Sequence, residues 1–539
     1  MSEPSPSDPN PEAPEEAKKK RGKVKISKKL LFINSTSSVV ARVLNISVLI
    51  WVQQYLLRRI TPEEYSLLPV VTSLMILVPL ISFALTTGFG RFVTAAYDEG
   101  KLEEVTQIVS SVFPILAIVA VLMLFGGAFT AYHVDSLINV PAERIWDARL
   151  MFGMLLISAV VNLVLSPFIV AFTALQKFVL KNLIEVGSEL FRMALLTALL
   201  LLEGPRVIWV VASESAANVV LVLVLQYFSR KWLPALRVER AAIDLSKQRE
   251  LMSFSAWGFV IKTSGFIRTT LNPIILNRLA TPLDVACFHL GTIVTRQLQT
   301  IGNNAAAASG PMLTALHVRG EREALKQAYL SGNRYSMWLS MAIACPLVAS
   351  APEIFRLYAG DEYALAAPVL MLSLASFPFR YGTSMLARLA SAVASQKGYG
   401  LALAALQFVD LILALVFVGA FKLGAVGVAI ATLISTWLVL PFVHFPIGLR
   451  LSGARLGEYA TQSLLRGLVP SVVALPVLFG VRHWVQPTTW LEVFVISFAG
   501  LLAYGAAILT LALGPEERDD VARIRTKILA KVLARFGSQ

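Results

Sequence analysis

Apolar stretches long enough to cross a bilayer, about 20 residues each, recur along this chain from Leu30 to Leu513, parted by short polar connections. The pattern predicts fourteen spans: 31–55, 64–88, 105–128, 148–170, 183–203, 206–227, 251–275, 284–308, 328–350, 365–386, 399–421, 424–447, 467–483 and 490–513. The expected fold class is an all-α polytopic membrane protein.

The pattern also repeats. At a constant offset of 220 residues, Leu56, Arg58, Thr61 and Pro62 return as Leu276, Arg278, Thr281 and Pro282. Gly90, Thr94, Ala95, Gly100 and Glu103 return as Gly310, Thr314, Ala315, Gly320 and Glu323. Ala174, Gln176 and Lys177 match Ala394, Gln396 and Lys397, and Gly204 matches Gly424. These identities fall at loops and helix ends, where apolar composition alone makes matches rare. The reading is an N-lobe at 30–228 (spans 1–6), a linker at 229–250 and a C-lobe at 251–448 (spans 7–12). Spans 13 and 14, at 449–513, stand outside the repeat. Six spans is an even number, so both lobes start on one side and the repeat is parallel, its axis along the membrane normal.

Only 15% of residues are charged and 56% are hydrophobic, against about 25% charged in a soluble domain. The net charge of +14 reflects a topological bias and not a nucleic-acid footprint. Alternate connections and tails hold 32 Lys and Arg on one side and 8 on the other, the remaining 8 lying within or at the edge of spans. Positive loops stay in the cytoplasm. Both termini are therefore expected in the cytoplasm, whereas a place in the bacterial inner membrane is what the family resemblance given below implies.

Residues 1–29 read as a disordered tail rich in Pro, Glu and Ser, closed by the basic run Lys18–Lys29 beside the membrane. There is no cleavable leader in this reading; the first apolar run is a signal anchor. Tail 514–539 places Val521, Ile524, Ile528, Val532 and Phe536 at helical spacing with Arg and Lys between them, as in a helix lying in the headgroup plane. Cys287 and Cys345 form no motif and read as packing residues, and the five histidines have no metal spacing. Nothing resembles a catalytic constellation, so a transporter is expected and not an enzyme.

Charge inside a span is costly and faces a cavity, a water path or a counter-charge. Asn34, Ser38, Arg42 and Asn45 form one stripe in span 1. Ser255, Gly258, Lys262, Gly265, Thr269 and Asn272 form another in span 7, with Arg268 about 120° away. Thr292, Arg296, Gln299 and Asn303 form a third in span 8. Arg42 falls opposite Lys262 at the repeat offset, so each lobe carries one buried cation. Substrate binding is assigned to Arg42, Asn45, Lys262, Arg268, Arg296 and Gln299, because guanidinium forks and ammonium charges hold phosphates best. The alternative is that these cations pair with Asp410, Glu185 or Glu189 and only fix helix packing. Asp410, with Gln407 and Thr432 nearby, offers a carboxylate and neutral oxygens, suited to Na⁺ or H⁺ coupling or to a structural hydrogen bond. No other cofactor is expected.

Three further segments carry a resemblance: Gly88 to Tyr97 (GFGRFVTAAY), Ala174 to Lys177 (ALQK) with Asn182, and Tyr358 to Tyr363 (YAGDEY) with Ala366, Ala367 and Val369. With them the chain resembles the superfamily of multidrug, oligosaccharidyl-lipid and polysaccharide exporters, and within it the Wzx-type polysaccharide flippases, over about residues 28–513. The resemblance implies a flippase moving an undecaprenyl-pyrophosphate-linked oligosaccharide between leaflets, with spans 13 and 14 forming a groove for the lipid tail. By analogy with the related lipid II flippases, Arg42 and Arg296 imply cavity arginines and Asp410 implies a Na⁺-associated acid. Implied partners are the lipid-linked anionic oligosaccharide, membrane lipids, polysaccharide polymerase and glycosyltransferases, with no nucleic acid. The rivals are a cation-coupled multidrug or metabolite exporter of this fold, a lipid II flippase-like protein, a fourteen-span major facilitator lacking its usual Arg-rich loop, and a glycosyltransferase scaffold.

The charge bias generates one prediction. Cysteine labelling of intact cells is expected to place Arg230–Arg249 inside and Tyr358–Tyr363 outside; labelling of the first segment from the periplasm overturns the topology.

Overall fold

The computed structural model describes residues 50–75, 80, 89–175, 177–248, 270–307, 309–514 and 517–518. Among them the only regular structure is helical. Seven helices are long and apolar enough to cross a membrane, or eight if Arg322–Ala349 and Ala351–Tyr358, bent by 70°, count as one. Predicted spans 1, 2 and 7 fall largely or partly outside the described residues.

In the first half the helices used below are α1 (Pro62–Leu74), α2 (Phe89–Asp98), α3 (Leu102–Tyr132), α4 (Ile145–Leu165), α5 (Phe178–Leu202) and α6 (Ile208–Trp232). The second half has α7 (Pro282–Ala307), α8 (Ser309–Val318) and α9 (Arg322–Ala349). It continues with α10 (Ala366–Ala375), α11 (Phe377–Gly382), α12 (Leu386–Ala392), α13 (Gln396–Leu415), α14 (Gly424–Val439) and α15 (Phe445–Ser452). Then come α16 (Arg466–Val485) and α17 (Trp490–Ala507), which pack along each other, with α16 also against α9.

Positions 220 residues apart do the same local work. Thr61 caps α1, accepting from Glu64 N at 3.4 Å, and Thr281 caps α7, accepting from Asp284 N at 3.1 Å. The acids thus placed reach the N-terminus of a later helix: Glu64 Oε1 accepts from Val207 N at 3.0 Å, and Asp284 Oδ1 from Ala425 N at 2.8 Å. A carboxylate there also meets the positive end of the helix dipole. Gly204 (φ 88°) and Gly424 (φ 52°) make both turns left-handed, and a Cβ on Gly424 would collide with the Asp284 carboxylate. Thr94 and Thr314 bond back to Gly90 O and Gly310 O at 2.8 and 3.0 Å.

The segment expected as one span at 365–386 is broken twice. Pro378 lacks the N–H that would continue α10, and the helix restarts at Phe377. A second break at 383–385 is supported from a distance: Met385 N donates to Asn333 Oδ1 at 2.9 Å, and Tyr459 OH donates to Gly382 O at 2.7 Å. In the first half, α4 gives way to a 3-10 turn, Ser166–Ile169, within three residues of the same register.

On the face predicted to carry few cations, the two halves clasp each other reciprocally. Arg58 Nη2 donates to Leu357 O at 2.6 Å, and Arg278 Nε donates to Leu137 O at 2.8 Å. Both the arginines and the acceptors are related by the 220-residue offset. Beside them, Asn139 N and Nδ2 donate to Asn277 Oδ1 and O at 2.7 and 2.8 Å, and Asn277 Nδ2 donates to Asn139 O at 3.0 Å. Tyr358 OH donates to Ile50 O at 2.6 Å.

On the basic face, the segment after α6 lies as a strap along α3. Thr106 donates to Ala235 O at 2.9 Å, Ser110 and Ser111 accept from Glu239 N and Asp244 N at 2.9 Å each, and Gln248 Nε2 reaches Ser111 O at 2.8 Å. Leu233 and Leu236 are buried beneath it. Lys247 donates to Glu104 at 2.7 Å. The matching face of α9 holds the π-helical turn Ala460–Leu465 and the start of α16 instead: Ser463 donates to Leu330 O at 2.7 Å and Trp338 Nε1 to Arg466 O at 2.9 Å. Arg334 and Tyr335 there both bond Glu517, tying down the chain after α17.

The hydrogen bond from Lys247 holds the Glu104 carboxyl below its usual range. A depressed carboxylate stabilises the strap above the ordinary carboxylate pKa, and this contribution fades as pH falls through the lowered value. Lys247→Met is therefore expected to speed proteolytic nicking within 233–248 at pH 7, with little difference from wild type at acid pH; equal nicking at both pH values rejects the role of the pair.

Candidate functional site

The site is built on α7. Thr292, Thr295, Arg296 and Gln299 share one face of it, and with Asn272, Phe288, Ser373, Ser376 and Thr432 they line a narrow cleft of about 50 Å³. Close helix approach forms the cleft wall. A Cβ on Gly291 would sit 2.7 Å from Val369, and one on Gly302 2.7 Å from Tyr381, so glycine lets the segment α10–α11 approach α7 directly. The threonines return their hydroxyls to the helix, Thr292 to Phe288 O at 2.7 Å and Thr295 to Thr292 O at 2.8 Å. Arg296 Nη2 lies 3.3 Å from His289 Nδ1, and the His289 ring meets buried Tyr65 edge-on at 5.9 Å. Among the described residues, the guanidinium stands beside neutral hydroxyls and amides.

A second polar group lies one helix away. Asp410, on α13, is 1% exposed and its Oδ1 accepts from Ser435 Oγ at 3.0 Å. Its Oδ2 and the Oε1 of Gln407 are buried with no hydrogen-bond partner among the described residues. Two buried acceptors without donors are costly, and a proton or a hard cation satisfies both, since oxygen ligands suit Na⁺. Thr432 and Ser435 stand one turn apart on α14; Thr432 lines the cleft while Ser435 holds Asp410. α14 therefore joins the two.

Of the residues singled out in the sequence, Arg296 and Gln299 meet in the cleft with Thr432, and Asp410 and Gln407 lie together behind it. Arg42, Asn45, Lys262 and Arg268 lie outside the described residues, so the repeat-related cation pair does too. Two of the acids named as possible counter-charges bond cations on their own helix instead: Glu189 pairs with Arg192, and Glu185 with Lys181 at 3.5 Å. Cys287 and Cys345 are buried free thiols. Among the described residues no group of three His, Cys, Asp or Glu side chains could hold a metal. Sequence reading missed Tyr65, His289, Ser373 and Ser376. The i, i+3, i+7 spacing of Ser373, Ser376 and Arg380 was the available signal.

The fold has known counterparts. The lipid II flippase MurJ in an inward closed conformation superposes with a TM-score of 0.65 at 14% identity, over 88% of this chain and 98% of that one. An inward-facing multidrug resistance MATE family transporter of the MOP superfamily also gives 0.65 at 14% identity, over 78% and 98%. In sequence, the uncharacterized membrane protein EpsK of Bacillus subtilis (strain 168) is 20% identical over 503 residues, 91% of this chain and 97% of that protein. The family model described as polysaccharide biosynthesis protein matches residues 29–317. A helical multi-pass membrane protein with that match over more than half of its length belongs to the polysaccharide biosynthesis protein family.

Proposed function

We propose that this chain is a flippase that carries an undecaprenyl-pyrophosphate-linked oligosaccharide, a polysaccharide repeat unit, from the cytoplasmic to the periplasmic leaflet of the bacterial inner membrane. The observation that carries this reading is the Arg296 guanidinium in a cleft whose other described lining residues are neutral polar or apolar, a setting that favours an anion over the cationic drugs a multidrug exporter takes. In this reading the few-cation face is periplasmic and both termini are cytoplasmic. Arg42, Asn45, Lys262 and Arg268 complete the phosphate site, and the glycan, which no residue here reads specifically, occupies the space between the halves.

Transport proceeds by alternating access. The clasps of Arg58 and Arg278 close the periplasmic face while the cleft is loaded from the other side. Asp410 supplies the coupling: Na⁺ or H⁺ enters the oxygen site formed with Gln407 and Thr432, and because α14 also borders the cleft, occupancy of one site shifts the helix that shapes the other. Polysaccharide polymerase and glycosyltransferases would act on the same lipid-linked unit before and after the flip.

Three outcomes test this. Deleting the gene is expected to accumulate a lipid-linked repeat unit detectable by mass spectrometry; an unchanged lipid pool with altered drug tolerance supports the multidrug reading instead. A charge-assisted contact contributes about 1.5–3 kcal/mol, so Arg296→Gln should lower polymer export roughly tenfold or more at equal protein level, whereas Asp410→Asn should bind lipid normally but lose gradient-driven flipping in proteoliposomes. Normal export by the first, or full gradient dependence in the second, rejects the assigned role.

For the clasps, spin labels at Glu143→Cys and Glu362→Cys are expected to report a short distance in wild type and a longer, broader one in Arg58→Ala/Arg278→Ala. An unchanged distribution rejects the gate.

A further inference from the structure

We propose that a groove on the few-cation face, between the helix Ala351–Tyr358 and the turn joining α16 to α17, binds the phosphoethanolamine headgroup of a phospholipid and so steadies the clasp between the halves. The groove has a volume of about 490 Å³, and none of its lining residues lines the cleft. Its size falls within the range of about 300–1,000 Å³ usual for small-ligand sites. The inference goes beyond the transport reading and does not depend on which substrate is carried.

The acid is the first observation. Arg482 donates from both Nε, at 3.0 Å, and Nη2, at 2.7 Å, to one oxygen, Oε1 of Glu353. A guanidinium fork normally matches its two donors to both oxygens of a carboxylate. Here Glu353 Oε2 is left buried with no hydrogen-bond partner among the described residues. A buried acceptor without a donor is costly, and a ligand's N–H group satisfies it. The second observation is the cation one turn further along the same helix. Arg356 lines the same groove, donates from Nη2 to Pro487 O at 2.9 Å and meets no carboxylate among the described residues. An acceptor lacking a donor, beside a guanidinium lacking an anion, fits a ligand that carries an ammonium and a phosphate on a short ethylene link.

The turn is built to present these groups. Gln486 lines the groove with left-handed backbone (φ 47°), a conformation that glycine adopts freely and glutamine does not. A side chain held there against backbone preference does what glycine could not: its amide donates to a phosphate and accepts from an ammonium. Glu492 Oε2 accepts from Thr488 N at 2.6 Å and Thr489 N at 2.9 Å, which fixes the turn before a ligand arrives. The surroundings select a lipid. Trp484 and Trp490, at the end of α16 and the start of α17, are exposed, as in the aromatic belt at headgroup depth. Phe479 lines the groove and is itself exposed, and Phe494 and Phe498, both exposed on α17, stack at 6.4 Å. Apolar surface for acyl chains thus begins at the groove.

The groove bears on the clasp because both use one short helix. Glu353 and Arg356 line the groove, and the next two residues make the seal: Leu357 O accepts from Arg58, and Tyr358 OH donates to Ile50 O. A headgroup that holds Glu353 and Arg356 holds the acceptor of the clasp in place.

Full-length protein in detergent, titrated with phosphatidylethanolamine and followed by native mass spectrometry, tests the site. Wild type is expected to bind the first such lipid at least tenfold more tightly than phosphatidylcholine, whose methylated ammonium offers Glu353 no N–H, or phosphatidylglycerol, which has no ammonium. Arg356→Gln, which removes the charge but keeps a donor, should weaken that first lipid at least tenfold. Glu353→Gln should abolish the preference over phosphatidylcholine. Equal binding of the three lipids by wild type, or unchanged phosphatidylethanolamine binding by Arg356→Gln, overturns the site. A preference for phosphatidylglycerol that Arg356→Gln removes overturns the assignment to phosphoethanolamine. In nanodiscs, the spin-label pair at Glu143→Cys and Glu362→Cys should give a narrower distance distribution in phosphatidylethanolamine than in phosphatidylcholine for wild type, and the same distribution in both for Arg356→Gln. A wild-type distribution that ignores the lipid, while the first lipid still binds, overturns the link to the clasp.

Discussion

Hydrocarbon offers no hydrogen bonds, and every polar atom placed within it must find a partner in the chain. This constraint orders most of the structure. It explains why Thr292 and Thr295 turn their hydroxyls back onto their own helix, and why the breaks in α10–α12 are bridged by Asn333 and Tyr459. It also makes the exceptions informative. Asp410 Oδ2 and Gln407 Oε1 are acceptors that the described protein does not satisfy, and they adjoin the helix that lines the cleft.

The sharing of α14 gives this arrangement its economy. On the proposed reading, a helix wedged between an anion-binding cleft and an oxygen site transmits a small displacement from one to the other without a dedicated relay. Packed interiors switch between discrete arrangements more readily than they deform, so two ligands of opposite charge acting on one helix can select between two states.

Much of this was legible in the sequence where a residue's task is local. Thr61, Thr281, Gly204 and Gly424 do jobs set by backbone geometry, so their recurrence exposed the repeat before any contact was known. Arg296 and Gln299 declared themselves by helical spacing. Ser373 and Ser376 did not, because hydroxyls in apolar helices commonly bond their own backbone and signal nothing. The break at 383–385 depends on Asn333 and Tyr459, about 50 and 75 residues away in sequence, and no local pattern announces it. The strap at 233–248 lies within the segment read only as a linker at 229–250, because its partners, Thr106, Ser110 and Ser111, are small polar residues in the first turns of α3.

The clasp between the halves has the form of an isologous contact: residue i of one half binds residue j of the other, and j of the first binds i of the second. Arg58 with Leu357 and Arg278 with Leu137 are such a set, as in a twofold dimer of identical subunits. Each half therefore carries both the donor and the acceptor of the seal. The seal thus uses one set of contacts twice, and a change that weakens it in one half leaves its counterpart in the other half in place.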